Sequence, residues 1–563
     1  MTGRRRPRPL PAPATGALVL LLWLLGLALQ AHAAAPGRAA VATAHPLATD
    51  AGLDILAAGG NAFDASIAIS AALAVVEPYG SGLGGGGFFL LREAGEPPTY
   101  RFLDAREQAP AAARDSLYRD DPRRALDGPL AAAIPGLPAG LQALAAQHAR
   151  LPLATSLAPA IRLARDGFPV DAVYRQRAGW RLSALRDDAE SARLFLVEGE
   201  LPAEGHRLRQ VELAETLERL ARDGAPGFYQ GAVAERLVAG VRAAGGVWHL
   251  EDLHDYRVRW REPLRQALGE GHTLVGAPPP SAGGLALAQS LVLLERLGWR
   301  EATPERQRHL VIESLRRAYR DRAWLGDPDQ VPVPVARLLS ADYLAGVAAG
   351  IDPERATPSA RLPAAPAWRE GDHTTHFTVM DAEGNAVAAT LSLNLMFGAA
   401  FTVPGTGVLL NDQMDDFALH GGEGNAYGLR DTPANALAGG RRPLSSMSPT
   451  FVESPDAFAS FGTPGGSRIP STVLLAVLAH LEDAPLADWV AAPRYHHQYL
   501  PDVVEYEEGA FDDRALAALR ARGHRLQPMQ RAYGNLQVIR WNKRSGALEA
   551  ASDPRGMGTA RVR

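Results

Sequence analysis

The stretch Gly371-Asp372-His373-Thr374-Thr375-His376 brings a threonine to the point where a polar, proline-bounded connector runs into a strand pattern. A threonine hydroxyl is a weak nucleophile until a base stands beside it. If the His373–Thr374 bond were cut, Thr374 would carry its own base. A free α-amine has a reference pKa of about 7.7–8.0 and is substantially neutral near physiological pH. One residue would then supply nucleophile and base for acyl transfer. Taken alone, a Thr-Thr pair before a strand reports only β-propensity, so the surrounding residues decide.

Other chemistries are poorly served. The absence of cysteine excludes thiolate zinc sites, iron–sulfur clusters, cysteine nucleophiles, disulfides and a lipid-modified N-terminal cysteine. Lys543 is the only lysine. A phosphate loop ending in Gly-Lys is therefore impossible, and a Schiff base would have to use a residue in the apparent turn 542–546. There is no G-x-S-x-G elbow and no H-E-x-x-H. Histidines pair as His373/His376 and His496/His497, but neighbours on one strand point to opposite faces, so no metal site is expected. Gly80-x-Gly82-x-x-Gly85 with Asp104 has dinucleotide-fingerprint spacing, yet a helix pattern precedes the glycines and a strand pattern follows them. The phosphate-binding order is the reverse, so the run reads as a backbone crossing that only glycine fits. With 58 basic and 62 acidic residues, net −4, the chain is too balanced for a nucleic-acid binder.

The elements that must position Thr374 follow from periodicity. Residues 49–76 read as two helices around Gly59-Gly60-Asn61, the second (64–76) apolar on nearly every face and hence buried. Phe88-Phe89-Leu90-Leu91 reads as a buried strand. Residues 129–330 look largely helical, with arginine-rich amphipathic runs at 211–223 and 306–324. Residues 362–369, holding Pro363 and Pro366, read as an exposed connector. Residues 374–381 and 386–394 are strands joined by Ala382-Glu383-Gly384-Asn385, a hairpin. Strand signals recur at 457–462 and 536–541, with a helix at 471–481. Helices flanking antiparallel strands predict a layered α+β architecture. The length, 563 residues, allows one large domain or several ordinary ones.

Several ordered motifs accompany Thr374. They are Asn394, Asn411-x-Gln413-Met414-Asp415-Asp416-Phe417, the run from Arg442 to Pro449 containing Ser445-Ser446, and Gly462-x-x-Gly465-Gly466-Ser467-Arg468. The first half adds Ala44-His45-Pro46-Leu47-Ala48, Gly59-Gly60-Asn61-Ala62, the glycine run and Asp104-Ala105-Arg106-Glu107. With these, the chain resembles the γ-glutamyltranspeptidases (glutathione hydrolases) of the N-terminal-nucleophile hydrolases over nearly all of residues 40–557.

The resemblance implies a four-layer αββα sandwich. It implies a precursor that cleaves itself between His373 and Thr374, giving a large subunit (34–373) and a small one (374–563) that remain a heterodimer. Thr374 would be the nucleophile, with Ser392 beside it where many members have a threonine; serine keeps the hydroxyl but loses the methyl that restricts its rotamer. Backbone amides of Gly465 and Gly466 would hold the oxyanion. Arg106, Ser445 and Ser446 would take the glutamate α-carboxylate. Asn394, Gln413 and Asp416 would take its α-ammonium. Tyr427 matches the aromatic tip of a lid loop. In isolation each has a bland reading: a salt bridge, a cap, a turn. Glutathione and γ-glutamyl compounds would be the substrates, with no cofactor.

Arg4, Arg5, Arg6 and Arg8, the apolar run 16–29 and Ala31-His32-Ala33 have a secretory signal layout. The run is too short to span a bilayer. The expectation is a signal segment 1–33, a periplasmic or secreted product and no stable membrane association. Two alternatives remain at this point: an acylase of the same type for other amides, such as β-lactam side chains (cephalosporin-type), and a secreted binding protein that is never processed.

Overall fold

The computed structural model describes residues 35–362, 374–419 and 432–563. In chain order it forms β1 (Ala40–Thr43), α1 (Pro46–Ala57), α2 (Ala62–Val76), β2 (Gly86–Glu93) and β3 (Thr99–Ala105). A helical stretch supplies α3 (Leu137–Gln147), α4 (Leu153–Asp166), α5 (Ala172–Trp180) and α6 (Val211–Asp223). Next come β4 (Arg259–Arg261), β5 (Leu264–Ala267), β6 (Thr273–Gly276), α7 (Gly283–Arg296) and α8 (Pro304–Asp321). The last third adds β7 (Thr375–Met380), β8 (Ala386–Ser392), β9 (Thr450–Glu453), β10 (Ala457–Gly462), α9 (Ile469–Leu481), β11 (Gln537–Asn542), β12 (Leu548–Ser552) and β13 (Thr559–Val562).

Two antiparallel sheets stack face to face. The first runs β13-β1-β7-β8-β2-β3-β4, the second β12-β11-β10-β9-β6-β5. Side-chain alternation along β2 makes the layering explicit. Phe89 and Leu91 pack into the cluster built with α2, α3, α4 and α6, whereas Phe88 and Leu90 pack into the cluster shared with the second sheet. Helices α7 and α9 cover that sheet's far face. The result is the αββα sandwich.

The local reasons are readable. Asn61 caps α2 through the amides of Phe63 and Asp64, and Asp64 returns a bond to the Asn61 amide. All of α2 is buried, so it forms the wall against which β7 and β8 lie. The glycine run is the expected crossing: a Cβ on Gly84 would come 2.0 Å from the Leu409 carbonyl oxygen, and one on Gly85 2.2 Å from that of Ser392. The hairpin expected at 374–394 is β7–β8, at the centre of the first sheet.

Strands from both sides of residue 374 interleave. In the first sheet β1, β2, β3 and β4 come from before it and β13, β7 and β8 from after it. The C-terminal strand zips onto the first, with the Arg563 amide donating to the Ala39 carbonyl at 2.8 Å and the Ala39 amide returning a bond at 2.9 Å. A chain break before residue 374 would leave every ladder intact.

Candidate active site

Thr374 immediately precedes β7, and its Oγ1 is buried with no hydrogen-bond partner among the described residues. Its neighbours are pinned from both faces. Thr375 Oγ1 donates to Glu77 Oε2 at 2.7 Å, and the Tyr79 hydroxyl donates to Glu77 Oε1 at 3.1 Å, tying the strand start to the end of α2. Burial pushes the Glu77 carboxyl up, with the His45 charge pulling the other way. On the opposite face His376 lies under Gly462, where a Cβ would come 2.1 Å from the imidazole Cε1. His376 shares a 2.9 Å hydrogen bond with Thr390 Oγ1, and burial lowers its pKa to about 3, so it is neutral.

The β7–β8 register pairs Thr375 with Leu391, which brings Ser392 opposite Thr374. Ser392 Oγ accepts the Asn394 amide at 2.8 Å. Asn394 adopts a left-handed backbone, φ 77°, a conformation asparagine tolerates better than most residues. Its Nδ2 donates to the carbonyl and the carboxylate of Asp412, each at 3.1 Å.

Gly465 (φ 136°) and Gly466 (φ 53°) form the bend between β10 and α9. Their amides sit at the positive end of α9, where anionic charge is favoured. Gly465 and Thr374 line one cavity of about 560 Å³.

The remaining predicted residues form a buried network. The Arg106 guanidinium pairs with Asp416, Nη2 to Oδ2 2.5 Å, and donates to the Pro443 and Leu444 carbonyls at 3.2 and 3.3 Å. It therefore reaches the turn that carries Ser445 and Ser446. Sequence reasoning had assigned Arg106 and Asp416 to opposite ends of one ligand; the structure pairs them with each other. Gln413, buried in the same segment as Asp416, has neither amide atom hydrogen-bonded among the described residues.

Sequence reasoning gave no role to the residues that hold this network together, although Asp104, Glu107 and Arg442 stand in its motifs. Asn435 Nδ2 donates to the Asp416 carbonyl at 2.7 Å, and its Oδ1 accepts the Leu444 amide at 2.9 Å. Arg322 donates to the Ser445 carbonyl at 2.9 Å. Asp104 accepts the Arg106 amide at 2.9 Å and pairs with Arg442 and Arg261 at 2.5 and 2.8 Å. Nothing about an asparagine in a proline-containing loop marks Asn435 in sequence. Glu107 lies 3.5 Å from Arg106, and burial raises its pKa to about 7.

His376, His496 and His497 are each hydrogen-bonded to another side chain. His496 shares a 2.8 Å hydrogen bond with Ser471, whereas His497 faces Asp502 at 3.2 Å. Lys543 is ion-paired with Glu453. No group of three or more potential metal ligands occurs among the described residues. His373, Tyr427 and the segment 1–33 lie outside the described residues, as does most of the connector 362–369.

A γ-glutamyltranspeptidase family model matches residues 48–562. The chain belongs to the γ-glutamyltranspeptidase family. Similar members include the glutathione hydrolase proenzyme of Pseudomonas aeruginosa, 41% identical over 90% of this chain and 91% of that protein. The glutathione hydrolase proenzyme of Escherichia coli is 38% identical over 92% and 90%. Among solved structures, the cephalosporin acylase from Bacillus halodurans superposes with TM-score 0.80 at 28% identity, covering 93% of this chain and 95% of that one. The Helicobacter pylori γ-glutamyltranspeptidase superposes with TM-score 0.54 at 34% identity, over 57% of this chain and 93% of that one. This family member has no helix, among the described residues, long and apolar enough to cross a membrane.

Proposed function

We propose that this chain is an exported proenzyme that cuts itself between His373 and Thr374 and then cleaves γ-glutamyl amides, glutathione among them. The observation that carries this reading is the uncommitted Thr374 hydroxyl beside Ser392, in the cavity it shares with Gly465. In maturation the Thr374 oxygen attacks the His373 carbonyl carbon and the acyl group passes from nitrogen to oxygen. That shift breaks the C–N bond and frees the Thr374 amine; water then hydrolyses the ester, releasing the His373 carboxylate and restoring the Thr374 hydroxyl. In turnover the amine takes the hydroxyl proton as oxygen attacks the γ-carbonyl. The Gly465 and Gly466 amides stabilise the oxyanion, a type of donor typically worth about 10²–10³ in rate. The proton passes to the departing amine, leaving a γ-glutamyl-threonine ester that water or an acceptor amine resolves. No cofactor is needed.

For the glutamate end, Arg106, Ser445 and Ser446 take the α-carboxylate, and Asn394, Gln413 and Asp416 the α-ammonium. Tyr427 would close over them as part of a lid. The interleaved strands account for subunits 34–373 and 374–563 staying together as a heterodimer. The leader pattern at 1–33 supports a periplasmic or secreted product.

The test is a denaturing gel of mature protein. It should show fragments of about 340 and 190 residues, counted from 34–373 and 374–563, with Thr374 as the new start by Edman sequencing. Thr374→Ala should give one uncut chain; two bands from that variant overturn the assignment.

A second reading is favoured by the acylase superposition: a related enzyme for other amides. Retention of Asn394, Gln413 and Asp416 as acceptors for an α-ammonium argues for the glutamyl reading, because a glutaryl group lacks that charge. Faster turnover of glutaryl-anilide than of γ-glutamyl-anilide would reverse the preference.

A further inference from the structure

The cavity that holds Thr374 has a rim none of the chemistry above uses. Helix α5 ends on Trp180, an exposed ring with 41% of its surface accessible. The Arg177 guanidinium lies 4.6 Å from that ring's centroid and the Arg531 guanidinium 4.0 Å from it. Cation–π attraction to the one indole holds both cations at the mouth. Like charges so close repel, and the Arg531 charge is one of the causes that lower the Arg177 pKa, after burial.

The other rim charges are already balanced. Arg468 pairs with Glu505 at 2.8 Å and Arg555 with Glu507 at 2.6 Å. Glu77, deeper in the cavity, is occupied by Thr375 and Tyr79. Neither Arg177 nor Arg531 forms an ion pair with a carboxylate among the described residues, although the Glu77 charge acts on Arg177 from deeper in the cavity. Two guanidiniums kept together with no ion-pair partner form a site for an anion, and their flat donor forks match a carboxylate. The cavity volume is in the range of small-ligand sites.

We propose that Arg177 and Arg531, stacked on Trp180, form a carboxylate subsite selecting leaving groups and acceptors that are amino acids or peptides with a free C-terminus. The inference rests on Thr374 being the attacking group, since Thr374, Arg177, Trp180 and Arg531 line the same cavity. An amine that carries a carboxylate one or two residues away would bridge from the Thr374 hydroxyl to the rim. An amine without one would gain nothing from the pair.

The test compares kcat/KM for γ-glutamyl-cysteinyl-glycine with that for its C-terminal amide. In the wild-type enzyme the free acid should be preferred by roughly tenfold or more, the scale of one or two charge-assisted hydrogen bonds. In Arg531→Met the preference should fall towards unity, with autoprocessing on a gel reporting that the variant folds. Arg177→Met should do the same. Should that half-buried substitution prevent folding, the exposed Arg531 position carries the test alone. A wild-type ratio near one, or a ratio unchanged in Arg531→Met, overturns the subsite. γ-Glutamyl-anilide separates the two levels of the argument. Turnover of the anilide without acid-over-amide preference defeats only the subsite, whereas no turnover defeats the catalytic reading and the subsite with it.

Discussion

Arg106 and Asp416, 310 residues apart in sequence, form one buried ion pair, with Nη2 2.5 Å from Oδ2. Burial pushes the Asp416 carboxyl up, and Arg106 pulls the other way. An amino-acid end group carries both charges, so its binding can exchange this pair for two new ones without leaving a buried charge uncompensated.

Breaking that pair from either side should therefore be costly and non-additive. Removing one partner of a buried pair costs about 3–5 kcal/mol. Arg106→Gln and Asp416→Asn should each lower kcat/KM for γ-glutamyl-anilide by at least 10²-fold. The double variant should lose much less than the product of the two. A double-mutant cycle measures this directly; additive losses would mean the two residues act independently.

Glu107 should make stability fall with rising pH. Its folded-state pKa of about 7 lies above the ordinary 4.5, with burial the main cause. The folded protein thus binds the proton more tightly than the unfolded chain. Stability should decline between about pH 4.5 and pH 7 and level off above. Glu107→Gln removes the group, so its Tm relative to wild type should be higher by a few degrees at pH 8 than at pH 5. An equal difference at both pH values would refute this.

Asn435 should matter to binding without taking part in bond making. Its two bonds join the Asp416 segment to the Leu444 turn. Asn435→Ala strands a buried carbonyl and a buried amide, at about 1–3 kcal/mol each. The expected outcome is a KM raised about tenfold or more with kcat reduced far less, read from steady-state kinetics. A pure kcat defect would contradict the positioning role.

Gly462→Ala should block maturation, because the added methyl would overlap the His376 ring and overpacking costs about 1–3 kcal/mol or more. Combining it with His376→Ala should restore part of the self-cleavage, followed as loss of precursor on a gel. No rescue would mean that Gly462 is required for another reason.

The strongly periodic elements were legible before any coordinates. The helix at 211–223 and the strand at 457–462 have the bounds expected of them. The expected hairpin strands 374–381 and 386–394 are found as Thr375–Met380 and Ala386–Ser392, shorter by Thr374 and Asp381 in the first and by Leu393 and Asn394 in the second, where the Asn394 backbone turns left-handed. Regular burial of one face repeats at 3.6 or 2 residues, and that repeat is written in residue order.

The chemistry proposed for Thr374 could be reasoned from sequence as well, because an α-amine and a hydroxyl on one residue need no fold to be neighbours. What no residue order conveys is which distant side chains meet. The pairing of Arg106 with Asp416, the Gly462–His376 fit and the seating of Arg531 on Trp180 join segments far apart in the chain, and the Asn435 bridge ties a loop whose course the sequence does not state. Such meetings arise from how two sheets stack and where their connecting loops come to lie. Close packing sets those distances to fractions of an ångström, and a linear pattern carries no term for them.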